Sequence, residues 1–114
     1  MNEKEKTVLL SVPNISGNEL KYVKECLDTG WISSAGSYVD KFEQMVADYA
    51  GAKYGIATMN GTAALHIALL LEGVKPDDYV IVSNLTFVAS ANSIKYTGAI
   101  PILIDADPNT WQMD

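Results

Sequence analysis

The stretch IATMNGTAALHIALLLEG, residues 56–73, joins an apolar run to a helix-like run through three small or polar residues, Asn60, Gly61 and Thr62. The run before this joint predicts a short buried strand over residues 53–59. The run after it predicts a helix that is apolar on nearly every face, and is therefore buried, and that ends at Gly73. A strand that turns directly into a helix indicates an α/β fold. The joint is either a plain turn or a binding site for an anion.

The residues that follow continue the alternation. YVIVS at residues 79–83 and IPILIDA at residues 100–106 predict two further buried strands, and residues 88–98 between them predict a helix. Alternating helices and continuous apolar strands are typical of a parallel sheet flanked by helices. A sheet of only three strands would keep two open edges. The sequence therefore predicts the first part of a larger domain.

Two helices are predicted before this alternation. Ser16 and Glu19 have the spacing of a capping box, which predicts a helix start, and Gly30 is placed to end that helix. Ser37 can cap a second helix, which Gly51 ends.

Composition and charge argue against several classes of function. The 114 residues carry a formal net charge of −6 and are 48% hydrophobic, which fits a globular protein and argues against a nucleic-acid partner. No apolar run approaches the roughly 18 residues of a membrane span, and the N-terminus lacks a signal peptide, so we expect a cytoplasmic protein. Cys26 is the only cysteine, which excludes an internal disulfide and a cysteine-based metal site. His66, the only histidine, is expected to be a packed or half-exposed helix residue.

The Asn60–Gly61–Thr62 joint follows the carboxyl end of a predicted strand, which is where parallel α/β sheets bind ligands. The first amides of the next helix have no intrahelical partners, and with the helix dipole they favour a phosphate. Because the chain has no arginine, this joint is its best phosphate site. A plain capping turn remains the alternative. Phe87, just past the next strand, either stacks on a flat aromatic ligand or belongs to the core.

Four stretches together resemble one known family: GWISSAGSYVDKFE, NGTAALHIAL, LTFVASANSIKYTGAIPILIDAD and NTWQMD. In their order and spacing, over residues 12–114, they are similar to the N-terminal part of the DegT/DnrJ/EryC1/StrS aminotransferases. That family consists of pyridoxal-phosphate enzymes of the aspartate-aminotransferase fold (type I) that act on nucleotide-linked keto sugars. The resemblance implies an arm or tail at residues 1–15, followed at residues 16–114 by an incomplete N-terminal portion of the large domain.

Within the family, the stretches TGWISS, SIKYTGA and TWQM most resemble the GDP-perosamine synthases. This likeness implies a nucleotide-linked 4-keto-6-deoxy sugar as substrate and amino-sugar biosynthesis for a surface polysaccharide. It also implies an amino donor, glutamate in most of the family, and a homodimer.

The resemblance assigns cofactor-binding roles to four residues. Those matching Gly61, Thr62 and Ala63 hold the phosphate of pyridoxal 5′-phosphate, and the aromatic residue matching Phe87 stacks on the pyridine ring.

The resemblance also places the loop at residues 31–36 near the nucleotide sugar. Trp31, Ser33 and Ser34 are therefore candidate substrate-binding residues. The alternative is a plain connection between helices, in which Trp31 plugs the core.

No catalytic residue is predicted within the chain. The family's chemistry needs a Schiff-base lysine and a carboxylate beside the pyridine nitrogen, and in relatives both lie beyond the position of Asp114. The lysines of this chain are expected on solvated helix faces, in turns or before a strand, so we expect the isolated chain to be inactive. Two alternatives remain: a sugar dehydratase of the same family, which uses histidine in place of the lysine, and a non-catalytic α/β module that binds a phosphorylated ligand.

Overall fold

The computed structural model describes residues 8–114, so the predicted tail at residues 1–15 lies partly outside the described residues. The chain divides into two compact units, a first unit that ends at Gly55 and a second unit, Ile56–Asp114.

The first unit contains two helices, α1 at Glu19–Thr29 and α2 at Ser37–Ala50. Both end at a glycine in the left-handed conformation, Gly30 with a φ of 75° and Gly51 with a φ of 65°. Glycine adopts this conformation without a steric cost. The predicted ends of both helices are therefore confirmed.

The predicted starts of these helices were wrong. The residue that precedes α1 as its N-cap is Asn18 and not Ser16. Glu19 is thus the first helical residue rather than the third, and its carboxylate accepts the N–H of Gly17 at 2.9 Å. The N-cap of α2 is Gly36, whose φ of 147° suits glycine, so Ser37 becomes the first helical residue and does not cap.

The second unit is built around a parallel pair of strands. It contains α3 at Gly61–Leu71, β1 at Tyr79–Ser83, α4 at Ala89–Tyr96 and β2 at Ile100–Ile104. The strands pair in register from Tyr79 with Ile100 to Ser83 with Ile104. Helix α4 connects the strands and packs on both of them and on α3. The predicted order of helix, strand, helix and strand over this unit is confirmed, with a parallel sheet.

The strand predicted at residues 53–59 does not form. These residues carry only bends and irregular structure, and Ile56 and Met59 are 80% and 89% exposed. A strand needs a hydrogen-bonded neighbour, and the sheet of the described residues consists of β1 and β2 alone. The sheet therefore has two strands instead of the predicted three.

Helix α3 is also less buried than its composition predicted. None of its residues is buried, and Leu71 is 82% exposed. A helix that is apolar all round needs neighbours on every side, whereas in the second unit only α4 packs against it. The buried apolar residues of this unit, Ile94 and Ala99, lie instead on α4 and just before β2.

Residues 8–114 contain no helix long and apolar enough to cross a membrane. In the same part of the chain, no three His, Cys, Asp or Glu side chains come together as a possible metal site. Cys26 is a free, half-buried thiol.

Candidate functional site

The start of α3 presents two backbone amides that have no hydrogen-bond acceptor among residues 8–114. Asn60 is the N-cap, and its Oδ1 accepts the N–H of Ala63 at 2.9 Å. Its carbonyl oxygen accepts the N–H of Ala64 at 3.2 Å. Within residues 8–114, the amides of Gly61 and Thr62 donate to no other group. Because free amides and the dipole at a helix start attract anions, this end of α3 offers two donors to a phosphate.

The space in front of these amides is open. A Cβ atom built on Gly61 would meet no heavy atom within 4 Å. The backbone of Asn60 is extended, and its carbonyl oxygen also accepts the hydroxyl of Thr58 at 3.0 Å. The turn is therefore shaped by its own hydrogen bonds, and a ligand atom can approach the Gly61 amide closely.

Gly61 and Thr62 line the same cavity as Phe87. The cavity has a volume of about 620 Å³. Its other lining residues come from the two helix starts and the first turns that follow them: Asn60, Ala64, Leu65, Ala89 and Ser90. Phe87 is 78% exposed, so its ring does not belong to the interior of the second unit. The structure thus brings together three of the four residues that the resemblance assigned to the cofactor.

Two hydrogen bonds bracket Phe87 in the turn that leads into α4. The hydroxyls of Thr86 and Ser90 lie 3.0 Å apart, and the carbonyl oxygen of Phe87 accepts the N–H of Ser90 at 3.0 Å. Ser90 was not predicted as a lining residue. The feature of the sequence that could have indicated it is the pair of hydroxyl residues Thr86 and Ser90, four positions apart and shortly after β1.

Ala63 differs from the other three candidates. Its amide is already bonded to Asn60, and it lines a neighbouring cavity of about 350 Å³ together with His66 and Tyr96. The rings of His66 and Tyr96 meet edge to face, with centroids 5.8 Å apart. His66 is half-buried, which confirms that it is a packed helix residue.

The candidate substrate loop lies in the first unit. Trp31 and Ser33 line a cavity of about 300 Å³ between the end of α1 and the start of α2, whereas Ser34 does not line it. Trp31 is 59% exposed, so it does not plug a core in this unit. The hydroxyl oxygen of Ser33 accepts the N–H of Ala35 at 3.4 Å.

Asp107 stabilises the turn after β2. Its Oδ1 accepts the backbone N–H groups of Thr110 and Asn109 at 2.7 and 2.8 Å. These two hydrogen bonds, that from Thr110 first, lower the pKa of the carboxyl group below its ordinary value of 3.8. Asp107 therefore has a structural role in this turn.

A family model, that of the DegT/DnrJ/EryC1/StrS aminotransferases, matches residues 13–114. The chain belongs to this family. The GDP-perosamine synthase of Caulobacter vibrioides is 51% identical over 107 residues, which are 94% of this chain and 29% of that protein. The GDP-perosamine synthase of Escherichia coli O157:H7 is 52% identical over 89% of this chain and 28% of its own length. The chain thus spans less than a third of the curated relatives it matches.

Solved sugar aminotransferases share its fold. Spr1654 from Streptococcus pneumoniae, solved in a PMP form and a PLP form, matches with a TM-score of 0.83 and 31% identity. The match covers 96% of this chain and 27% to 28% of those chains. The predicted α/β fold class, the N-terminal part of the aminotransferase fold, is confirmed.

Proposed function

We propose that this chain forms part of a pyridoxal 5′-phosphate site in a sugar aminotransferase. The observation that carries the proposal is the shared cavity, which Gly61, Thr62 and the exposed Phe87 line together. Solved relatives with PLP and PMP forms support the choice of ligand.

The residues present fit the chemistry of this cofactor. Two amides, a helix dipole and the Thr62 hydroxyl suit a phosphate in a chain without arginine. A flat phenyl ring suits a pyridine ring, since offset aromatic rings attract each other. The cavity volume of about 620 Å³ lies in the usual range for small-ligand pockets, roughly 300–1,000 Å³.

Bound pyridoxal phosphate supplies the electron sink that amino transfer requires. The amides of Gly61 and Thr62 would hold its phosphate and so fix where its ring lies. Phe87 would cover one face of that ring, orient it and exclude water from that face. Asn60 holds the turn in the shape that leaves the two amides free. No lysine of the described residues lines this cavity, so no proton transfer is assigned to this chain.

We further propose that the substrate is a nucleotide-linked 4-keto-6-deoxy sugar, with GDP as the nucleotide and glutamate as the amino donor. The two GDP-perosamine synthases, at 51% and 52% identity, support this class. Trp31, Ser33 and Ser34 would contact the sugar nucleotide. The product would be an amino sugar for a surface polysaccharide, made in the cytoplasm by a homodimer in which residues 16–114 belong to the large domain.

Replacement of Phe87 tests the cofactor site. Pyridoxamine 5′-phosphate is the suitable probe, because it has no aldehyde that could react with the lysines of this chain. Phe87→Ala should weaken the binding of this probe by roughly two- to twelvefold, measured by ligand fluorescence, since stacking contributes about 0.5–1.5 kcal/mol. Phe42→Ala, which replaces the other phenylalanine, on α2, should leave binding unchanged. Equal losses in both variants would contradict a role for Phe87.

A chimera tests the substrate class. This chain would replace the aligned 107 residues of the Caulobacter vibrioides relative. The chimera should convert a GDP-linked 4-keto-6-deoxy sugar and glutamate to an amino sugar, identified by mass spectrometry. A chimera that folds and binds pyridoxamine 5′-phosphate but does not convert this substrate would contradict the proposed substrate class.

A further inference from the structure

A hydrogen-bonded ring cluster joins the two helices of the first unit. The hydroxyl of Tyr38, in the first turn of α2, donates to Oε2 of Glu25 on α1 at 2.7 Å. The ring of Tyr22 lies beside that of Tyr38, with centroids 5.1 Å apart. The Nζ of Lys41 lies 5.5 and 5.9 Å from the two ring centroids, within the range of a cation–π contact. Four side chains from both helices therefore meet at one place.

This cluster adjoins the candidate substrate loop. Glu25 and Tyr38 line the same cavity of about 300 Å³ as Trp31 and Ser33. The main chain of Glu25 also holds the last residue of α1, since its carbonyl oxygen accepts the hydroxyl of Thr29 at 2.7 Å. The contacts of Glu25 thus reach both ends of the loop.

The contacts within the loop are short-range. The N–H of Ile32 donates to Gly30 at 3.1 Å, and the Ser33 hydroxyl accepts from Ala35. Gly30 and Gly36, which border the loop, both have positive φ values, a region that glycine enters freely. The loop therefore depends on the helices at its ends to hold one conformation.

We propose that Glu25 and Tyr38 are positioning residues, whose hydrogen bond joins α1 to α2 and holds the loop at residues 31–36 in the conformation in which Trp31 lines the cavity. The importance of that conformation for a nucleotide sugar rests on the function proposed above. The conformation itself can be tested without any ligand.

The ionisation of Tyr38 is consistent with this role. The hydrogen bond to Glu25 comes first among the causes that raise the pKa of Tyr38 to about 12, followed by burial and by the charges of Glu25, Tyr22 and Cys26. Lys41 is the cation nearest to this ring on α2. Because the neutral hydroxyl is the donor, the stabilisation is complete below the ordinary tyrosine pKa of about 10. It is lost as the pH rises toward 12.

Quenching of Trp31 fluorescence tests the proposal. The chain has two tryptophans, so a Trp111→Phe background leaves Trp31 as the only indole. In that background, Tyr38→Phe and Glu25→Ala should increase the quenching of Trp31 by acrylamide. Glu25→Gln retains an acceptor oxygen and should restore protection. Tyr49→Phe, which alters a 96% exposed tyrosine of α2, is the matched control and should change nothing.

Two results would overturn the proposal. One is unchanged quenching in Tyr38→Phe, and the other is an equal increase in Tyr49→Phe. If a variant fails to fold, the pH titration of the Tyr38 Cζ resonance in the unsubstituted chain decides the question. A midpoint of about 12 supports the hydrogen bond to Glu25. A midpoint at the ordinary tyrosine value of about 10 contradicts it. Neither readout involves a cofactor, so the failure of either one is distinct from a failure of the proposed function.

Discussion

Gly61 is a residue at which the backbone of the second unit is open to a ligand. A Cβ atom there meets nothing within 4 Å, so Gly61→Ala should fold normally and change the free energy of unfolding by less than about 1 kcal/mol. The added methyl group would occupy the space beside the two free amides. We expect weaker binding of pyridoxamine 5′-phosphate at unchanged thermal stability. Unchanged affinity would show that the ligand does not approach this backbone.

The pH dependence of thermal stability tests the role of Asp107, also at the scale of the residue. Its carboxylate holds the turn after β2 through two backbone N–H groups, and its pKa is lowered in the folded chain. The stabilisation is therefore present above the ordinary pKa of 3.8 and is lost as the pH falls through the lower folded value. Thermal unfolding should show Asp107→Ala less stable than the unsubstituted chain at neutral pH.

The difference in thermal stability between Asp107→Ala and the unsubstituted chain should decrease at acidic pH, because the carboxylate becomes protonated. Asp107→Asn, which retains an acceptor oxygen, is expected to lie between them at neutral pH. A difference that stays constant from pH 7 to pH 2 would contradict a role for the ionised carboxylate.

At the scale of the element, substitutions of Asn60, the N-cap of α3, distinguish a plain capping turn from an anion-binding site. Asn60→Ala removes the acceptor of the Ala63 amide and should cost about 0.5–2 kcal/mol. Asn60→Asp keeps an acceptor and favours the helix dipole, but it places a negative charge beside the amides of Gly61 and Thr62. We expect Asn60→Asp to unfold at a normal temperature while binding pyridoxamine 5′-phosphate more weakly. Affinity equal to that of the unsubstituted chain would favour a turn with a capping role only.

Element ends were predictable where one residue type alone suits the backbone. Gly30 and Gly51 end α1 and α2 in a conformation that favours glycine. The N-caps were not predictable to the residue, since Ser16 and Asn18 are both good caps only two positions apart. Asn18 precedes the helix without a side-chain capping hydrogen bond, so capping preference does not choose between them.

The elements that were predicted wrongly depend on contacts with residues distant in the sequence, which a local pattern of residue types does not show. Residues 53–59 have the composition of a strand but no strand of the described sheet pairs with them. The same limit applies to the site. The motif placed Gly61 and Thr62 correctly at the start of a helix, but it did not show that the Asn60 side chain takes the Ala63 amide.

At the scale of the whole molecule, one face of strand β1 in the second unit carries large, exposed apolar side chains. Tyr79 and Ile81 on this face are 71% and 62% exposed, whereas Val82 on the opposite face is half-buried. Large exposed apolar patches bind dyes and promote association. Ile81→Thr should therefore reduce the binding of a hydrophobic dye and any self-association seen by light scattering, with little change in stability.

Val82→Thr is the control for this prediction. It changes a half-buried side chain and should destabilise the chain by roughly 0.5–3 kcal/mol without reducing dye binding. Equal dye binding by Ile81→Thr and the unsubstituted chain would show that this face is not the exposed patch.

An NMR titration with pyridoxamine 5′-phosphate, which follows both amide and aromatic resonances, decides whether the start of α3 and Phe87 form one binding site. We expect the amide resonances of Gly61 and Thr62 and the ring resonances of Phe87 to shift together and to saturate at one ligand concentration. Inorganic phosphate alone should shift the amide resonances of Gly61 and Thr62 and leave the ring resonances of Phe87 unchanged. If pyridoxamine 5′-phosphate leaves both amides unshifted, the cofactor phosphate does not bind at the start of α3.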